Sequence, residues 1–480
     1  MQRTLYEDEN LLARLDRMPM TKTVIGILVM LALVWLAEAF DIGIVGTVIT
    51  ILKKSWDLTA AQQGMLGTAS TLGVVLGMIP AGIIADKMGR KRAVLWGITF
   101  FSILTLIGAF VSNFSALLSI RFLAGLGEGA VLPMPYLFLS EFVRTKRRAV
   151  SVGYANGILT AAYLIPNLVG AWALHTFPTD ISWRIPFVLG AIPLLLIVPL
   201  TLWLPESPRY LLKRGRKAEV AHLVERLENE AGLPHDTTLI NTRALAVIQK
   251  GANVQPTWRA LTSSPYLKRA LIATAQLTGA LILFYILQVF GPLLLMARGF
   301  GSGSSIVDIG LMMGTAGIGS VVQGYAAERF GRRPVLTVYF FLAAVGAALF
   351  GLTQIPALVL FAGFLTSFFG LGVFPVSKLT VAEQYPTRLR GQGVYFNEMT
   401  ARIISGVVTI FFIPVILAVF GNQVIFEGIA IALLALAMPI VVWGRETSNI
   451  SLEEAGTDLS FEALDAEVNS LNDSHAPVTQ

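Results

Sequence analysis

Glu38 and Asp41 are the only charged residues in the apolar stretch Val24–Leu52. Three residues make nearly one helical turn, so the two carboxyls share a helix face. A bare charge at such a depth costs about 3 kcal/mol or more. Each acid must therefore pair with a cation, face water or carry a proton. The stretch "IRFLAGLGEG" offers a cation, Arg121, and a further acid, Glu128, seven residues on and on the same face. By helix rise, Asp41 lies roughly 15 Å and Arg121 roughly 9 Å below the same end of their segments. Glu128 and Glu38 match at roughly 20 Å by the same rise. The sequence thus predicts one cluster holding Glu38, Asp41, Glu128 and Arg121. Pairing with Arg favours the charged carboxylate, and desolvation favours the protonated acid. An acid that exchanges one environment for the other as the protein changes shape is a proton-coupling device.

A second set of candidates lies in the other half of the chain. "FPVSKLTVAEQYP" carries Lys378, and "YFNEMTARIISG" carries Glu398 and Arg402 four residues apart on one face. Arg402 is roughly 18 Å into its segment by helix rise. Two buried cations suit a carboxylate ligand, Arg as a planar fork and Lys as a point charge. Glu398 could instead neutralise Arg402 as an i,i+4 pair. Gln276, Tyr285 and Gln288, with Phe284 between them, are candidate walls of a binding cavity, as are Asn156 and Tyr163.

The elements that must position these groups are membrane helices. Of 480 residues, 55% are apolar and 14% charged, against about a quarter charged in soluble domains. Twelve apolar segments lie near 24–51, 62–85, 93–112, 115–140, 150–174, 184–204, 268–297, 304–327, 334–353, 356–382, 391–419 and 422–443. Runs of about 20 apolar residues read as transmembrane helices, so the expected fold class is all-α membrane protein. Basic loops follow segments two, four, six, eight and ten: "DKMGRKR", "RTKRR", "RYLLKRGRK", "ERFGRR" and "RLR". The connections on the other side have almost no Lys or Arg. The positive-inside rule then puts both termini and all five basic loops in the cytoplasm. The chain divides into an N-terminal segment (1–23), a six-helix bundle (24–204), a central loop (205–267), a second six-helix bundle (268–443) and a tail (444–480). The central loop reads as helical at "KAEVAHLVERLENEAG". The tail after Ser451 is acidic and poor in aromatics, the composition of a disordered segment.

Several functions are excluded. The first apolar run is too long for a cleaved signal peptide. There are no cysteines, and the four histidines have no metal-ligand spacing. No nucleophile–base pattern or phosphate loop is present, so neither an enzyme nor a cofactor is expected. The net charge of +6 lies in the loops and gives no argument for nucleic acid.

The two halves repeat each other. "GIIADKMGRKR" (82–92) after the second segment matches "GYAAERFGRR" (324–333) after the eighth. "EFVRTKRR" (141–148) matches "EQYPTRLR" (383–390), each with Glu seven residues before Arg. Asp86, Arg90, Glu141 and Arg148 in the first half, and Glu328, Arg332, Glu383 and Arg390 in the second, are candidate charge-assisted latches. Glu206 and Arg209 would add loop contacts. Internal repeats of this kind mark transporters with the substrate site between the two bundles.

These motifs resemble the major facilitator superfamily over residues 11–450. "PESPRYL" (205–211) and "ETSNISLEE" (446–454) look like its sugar porters. "RLDRMP", "RFLAGLGEG", "EQYPTRLRGQG" and "ARIISG" are similar to metabolite:proton symporters, a group with carriers of nicotinate and aromatic acids. The resemblance implies proton coupling at Asp41 and Arg121. It also implies that "AQLTGALILFY" (275–285) lacks two of the amides that sugar porters place there, with Ala275 and Leu281 in their stead. The expected protein is a monomeric plasma-membrane (inner-membrane) symporter of protons and a small organic anion, surrounded by lipid. A sugar or polyol symporter is the alternative, followed by efflux of hydrophobic compounds.

Overall fold

The computed structural model describes residues 2–143, 148–239, 258–264, 266–448 and 450. Within these, twelve helices are long and apolar enough to cross a membrane. Spans 1 to 6 are Lys22–Lys53, Ala60–Ala85, Arg90–Gly108, Phe114–Tyr136, Ala149–Thr176 and Thr179–Trp203. Spans 7 to 12 are Tyr266–Met296, Gly303–Phe330, Arg332–Leu352, Pro356–Glu383, Leu389–Ile413 and Gln423–Trp443. The acidic tail expected after Ser451 lies outside the described residues.

Local chemistry sets the helix ends. Thr21 caps span 1 by accepting the amide of Val24, and Asn113 caps span 4 by accepting that of Ala116. Thr59 and Gln62 form a capping box at span 2. Gly89 and Gly331 end spans 2 and 8 with positive φ, 100° and 91°. A Cβ at either position would meet a carboxylate oxygen, that of Glu206 at 2.2 Å or of Glu446 at 2.7 Å. The glycines of both repeats are therefore required by backbone and by contact alike.

Five spans are interrupted where candidate site residues sit; span 5 breaks at Tyr163, between Arg148–Ala162 and Leu164–Thr176. Span 4 breaks at Leu132–Pro133 and restarts at Met134. Span 10 breaks after Gly370 and restarts at Phe374. Span 7 contains a π-helical stretch over Ile286–Phe290, directly after Tyr285. Span 11 contains another over Ile403–Thr409, directly after Arg402. Widened turns of this kind are frequent at functional sites.

Small residues let the backbones approach. Spans 2 and 4 pack through Gly73 and Gly77 against Gly125 and Gly129. A Cβ on Gly73 would lie 2.1 Å from the carbonyl of Phe122. Across the halves, Gly153 and Gly157 of span 5 meet Gly317 and Gly324 of span 8. At the end remote from the basic loops, Gly46 of span 1 abuts the carbonyl of Gln288 in span 7. At the basic end the hydroxyls of Tyr154 and Tyr325 meet at 2.9 Å. The halves thus touch at both ends.

One element is absent from the sequence-based expectations. Gln2–Asp16 forms a helix that packs on the central helix Lys217–Ala231. Leu11 and Leu15, one turn apart, meet Val220, Val224 and Leu227. Beside them Arg14 grips Glu228 with two bonds, 2.9 and 2.5 Å, and Arg17 adds a third at 2.6 Å. Burial works against the Glu228 charge, but the bonds from Arg14, Arg17 and His235 outweigh it and hold the carboxyl down to about 2. A depressed carboxyl adds stability above its ordinary range and loses it only as pH falls toward that value. Glu228→Gln is expected to loosen the N-terminal helix, and pH changes between 5 and 8 are not. Hydrogen exchange of residues 2–16 in both proteins measures this; equal protection would refute it.

Candidate functional site

The charged groups of the membrane interior gather in two clusters. In the first, Arg121 donates from Nη1 to Asp41 Oδ2 at 2.8 Å and from Nη2 to the Asp41 carbonyl at 3.2 Å. Thr105 donates its hydroxyl to Asp41 Oδ1. Glu128 Oε1 stands 3.8 Å from Arg121 Nη2. Asp41, Arg121 and Glu128 are all sealed from solvent, at 0%, 1% and 0% exposure. The face of Phe187 lies 5.9 Å from the guanidinium.

Glu38 does not join this cluster. It lines a cavity between the halves together with Asn156, Thr160, Tyr163, Leu281, Phe284, Phe374, Lys378 and Arg402. The expected grouping of Glu38 with Arg121 is corrected for a geometric reason. A three-residue step turns roughly 300° around a helix, leaving the two side chains roughly 60° apart. At the bundle interface that offset suffices to send Asp41 toward span 4 and Glu38 toward the second half.

Across the cavity, Glu398 bridges the two cations. Its Oε1 lies 3.1 Å from Lys378 Nζ and its Oε2 3.3 Å from Arg402 Nε. Arg402 also donates to the Tyr285 hydroxyl at 2.6 Å, which ties together the residues just before the two π-helical stretches. Lys378 Nζ sits 4.4 Å from the ring centroid of Tyr136 and 5.7 Å from that of Phe374. The cavity is only about 20 Å³, room for one or two waters, and no lining residue is more than 8% exposed. The two halves are closed on this cavity.

Other expected wall residues have different tasks. Gln276 donates to the Ser377 carbonyl at 3.0 Å and to Thr380 at 2.8 Å, inside the second half and away from the cavity. Gln288 donates to the Gly43 carbonyl at 2.8 Å and joins span 7 to span 1. Both amides are therefore structural ties in this conformation. Tyr285 stands behind Arg402 and is not part of the lining. Asn156 does line the cavity, where it accepts from Tyr136 and donates to Ser320 at 3.0 Å. Tyr136 and Phe374 were missed by sequence reasoning. Phe374 precedes Lys378 by one helical turn and Tyr136 lies in the first turn after span 4 restarts, signals that could have found them.

At the basic end the repeats form two near-identical latches. Arg90 pairs with Glu141, and Ser207 donates to the same carboxylate at 2.6 Å. Arg332 pairs with Glu383 at 2.8 Å, and Thr447 donates to it at 2.7 Å. Glu206 accepts the amides of Arg90 and Lys91, and Glu446 those of Arg332 and Arg333. Ser207, Glu446 and Thr447 were not among the expected residues; "ES" at 206 and "ET" at 446 were the available signal. Each latch ties elements of one half together. Glu328 crosses between the halves, accepting the amide of Val150 at 3.0 Å. Arg390 donates to the Ala382 carbonyl at 3.2 Å within its own half. The side chains of Asp86 and Arg148 lie outside the described set, and Arg209 lies in the short helix Pro208–Lys213 that follows Ser207.

The chain is similar to known carriers along its length. It is 29% identical over 447 residues to the niacin transporter NiaP of Acinetobacter baylyi, covering 93% of this chain and 100% of the relative. It is 25% identical to the 4-hydroxybenzoate transporter PcaK of Pseudomonas putida, over 79% and 83% of the two chains. Its fold matches the xylose transporter XylE from E. coli in a partially occluded inward-open conformation, with TM-score 0.69 and 16% identity over 88% of this chain and 98% of that one. This is the major facilitator fold of two six-helix bundles, and the protein is a multi-pass membrane transporter and not an enzyme. The family profile "Sugar (and other) transporter" matches residues 27–459, and the chain belongs to that family.

Proposed function

We propose that the protein is a proton-coupled symporter of a small organic anion, an aromatic, heterocyclic or hydroxy carboxylate, working by alternating access. The observation that carries this reading is the pair of second-half cations, Lys378 and Arg402, lining the cavity at the interface between the halves. Buried cations there recognise a carboxylate better than a hydroxyl. The carriers of niacin and 4-hydroxybenzoate among its relatives agree with that chemistry. Asp41, Arg121 and Glu128 form the proton site. One cation cannot balance two buried carboxylates, so a proton belongs there. Both termini and the basic loops face the cytoplasm in this reading, and the latches stabilise that face. The division at residues 205–267 separates the two moving bundles.

A sugar or polyol symporter is the second reading. It is favoured by the XylE-like fold and by the Glu206 and Ser207 contacts of the "PES" stretch. The commitment of Gln276 to Ser377 and Thr380, and the apolar Leu281 in the cavity wall, weigh against it. Uptake into proteoliposomes under an imposed pH difference separates them. Nicotinate or 4-hydroxybenzoate should accumulate and xylose should not; the reverse result would select the second reading. Efflux would appear as accumulation only with the gradient reversed.

The latches yield a further expectation. Because the chain has no cysteine, Ser320→Cys, buried between spans 5 and 8, reports opening without background. Adding Arg332→Ala should raise its maleimide labelling severalfold by freeing the basic end of the second half. An unchanged rate would mean that the latch only holds the fold.

A further inference from the structure

Glu38 has a place in the substrate site that the proton cluster does not use. Its carboxyl is 2% exposed. Its Oε2 has no hydrogen-bond partner among the described residues, although it borders a cavity lined by two cations. Arg402 and Lys378 are the cations whose charge acts on it, from spans 11 and 10. Glu398 acts on it from span 11, and Asp41 from its own helix. Glu128 and Tyr136 of span 4 and Tyr163 of span 5 lie within reach of its charge.

The charges around the cavity count as follows. Lys378 and Arg402 supply two positive charges, and Glu398 and ionised Glu38 supply two negative ones. With both acids charged, the cavity is neutral and offers an incoming carboxylate nothing. With a proton on Glu38, one positive charge is left over, which one monocarboxylate balances. A buried carboxyl oxygen without a donor is costly as an anion and much less so as an acid. Glu38 sits on the first half and the cations on the second, so the balance depends on both halves closing on the cavity.

We propose that Glu38 is the internal competitor of the substrate: ionised, it neutralises the Lys378–Arg402 pair, and only its protonation lets the substrate's carboxylate take that place. This rests on the anion-transport reading and adds the residue that makes binding itself proton-dependent. No covalent bond changes; one proton goes onto Glu38 as one carboxylate enters, and both leave together.

The test is direct binding to purified protein by calorimetry from pH 5.5 to 8, with nicotinate and 4-hydroxybenzoate as probes and nicotinamide as the uncharged control. In the unmodified protein the carboxylate Kd should weaken, approaching tenfold per pH unit once Glu38 ionises, as one linked proton requires. Nicotinamide should show no such slope. Glu38→Gln, nearly the same shape and permanently neutral, should flatten the carboxylate slope and bind more tightly than the unmodified protein at pH 8. A ligand-free measurement guards against loss of the probe. The infrared C=O band of a protonated buried carboxyl should be present at pH 6 and diminished in Glu38→Gln. An unchanged pH slope in Glu38→Gln, or an unchanged infrared band, overturns the proposal while leaving anion transport standing. Failure of both carboxylates to bind the unmodified, folded protein would sink the anion reading and this proposal with it.

Discussion

Asp41→Asn is expected to cut accumulation driven by a pH gradient to what Glu38 alone can couple, while leaving counterflow exchange largely intact. In the closed structure the Asp41 carboxylate takes a bond of 2.8 Å from Arg121 and another from Thr105, with Glu128 nearby. Asn keeps the size and mimics a permanently protonated acid, so the site can no longer load or release a proton. Exchange of one substrate molecule for another needs no net proton movement and should continue. Arg121→Ala should also uncouple transport, by a different route. It leaves Asp41 and Glu128 buried without their cation, and such a loss typically costs about 3–5 kcal/mol. A fall in thermal stability should therefore accompany Arg121→Ala and not Asp41→Asn. The measurement is uptake with and without an imposed pH difference, beside counterflow, for both variants. Normal gradient-driven accumulation by Asp41→Asn would move the coupling role to Glu128 or Glu38.

The second large effect concerns the cavity cations. Arg402→Gln or Lys378→Gln should weaken carboxylate binding by about 2–5 kcal/mol, the usual cost of removing one partner of a buried charge pair. That corresponds to a Kd increase of roughly thirty-fold to a few thousand-fold. Arg402 should be the more sensitive of the two. It holds Glu398 and Tyr285 at once, so its loss also leaves those groups unsatisfied. Arg402→Lys would keep the charge and lose the fork, and should recover only part of the affinity. Thermal shifts of folded variants with nicotinate or 4-hydroxybenzoate read this out, since a ligand that binds the folded state raises its melting temperature. Unchanged affinity in both Gln variants would eliminate Lys378 and Arg402 as the anion site.

Much of the architecture was legible because membrane helices are written in local composition. Twelve apolar segments emerge from length and hydropathy alone, since lipid requires each spanning backbone to satisfy its own hydrogen bonds. The repeat was equally visible, because Gly89 and Gly331 must adopt positive φ and their loops must carry the same charges. The i,i+4 relation of Glu398 and Arg402 follows from helix geometry and is present at 3.3 Å. The pairing of Asp41 with Arg121 followed from matched depth in two helices, and the structure brings them to 2.8 Å.

What sequence could not settle was which side of a helix meets which neighbour. Glu38 and Asp41 look alike in a helical projection, yet they face different halves of the molecule. That outcome depends on rotation of span 1 within the interface, set by packing such as Gly46 against the carbonyl of Gln288. Gln276 and Gln288 were read as candidate cavity walls, yet an amide in an apolar helix also needs a partner. Only the assembled bundle shows that backbone carbonyls of Ser377 and Gly43 supply it. The N-terminal helix escaped notice because its partner, Glu228, lies more than two hundred residues away. Sequence by itself determined the twelve helices, the doubled loops and the inventory of buried charges, because each is a property of a short segment. Tertiary structure alone decided which charges meet, because a few tens of degrees of helix rotation carry a side chain from one partner to another.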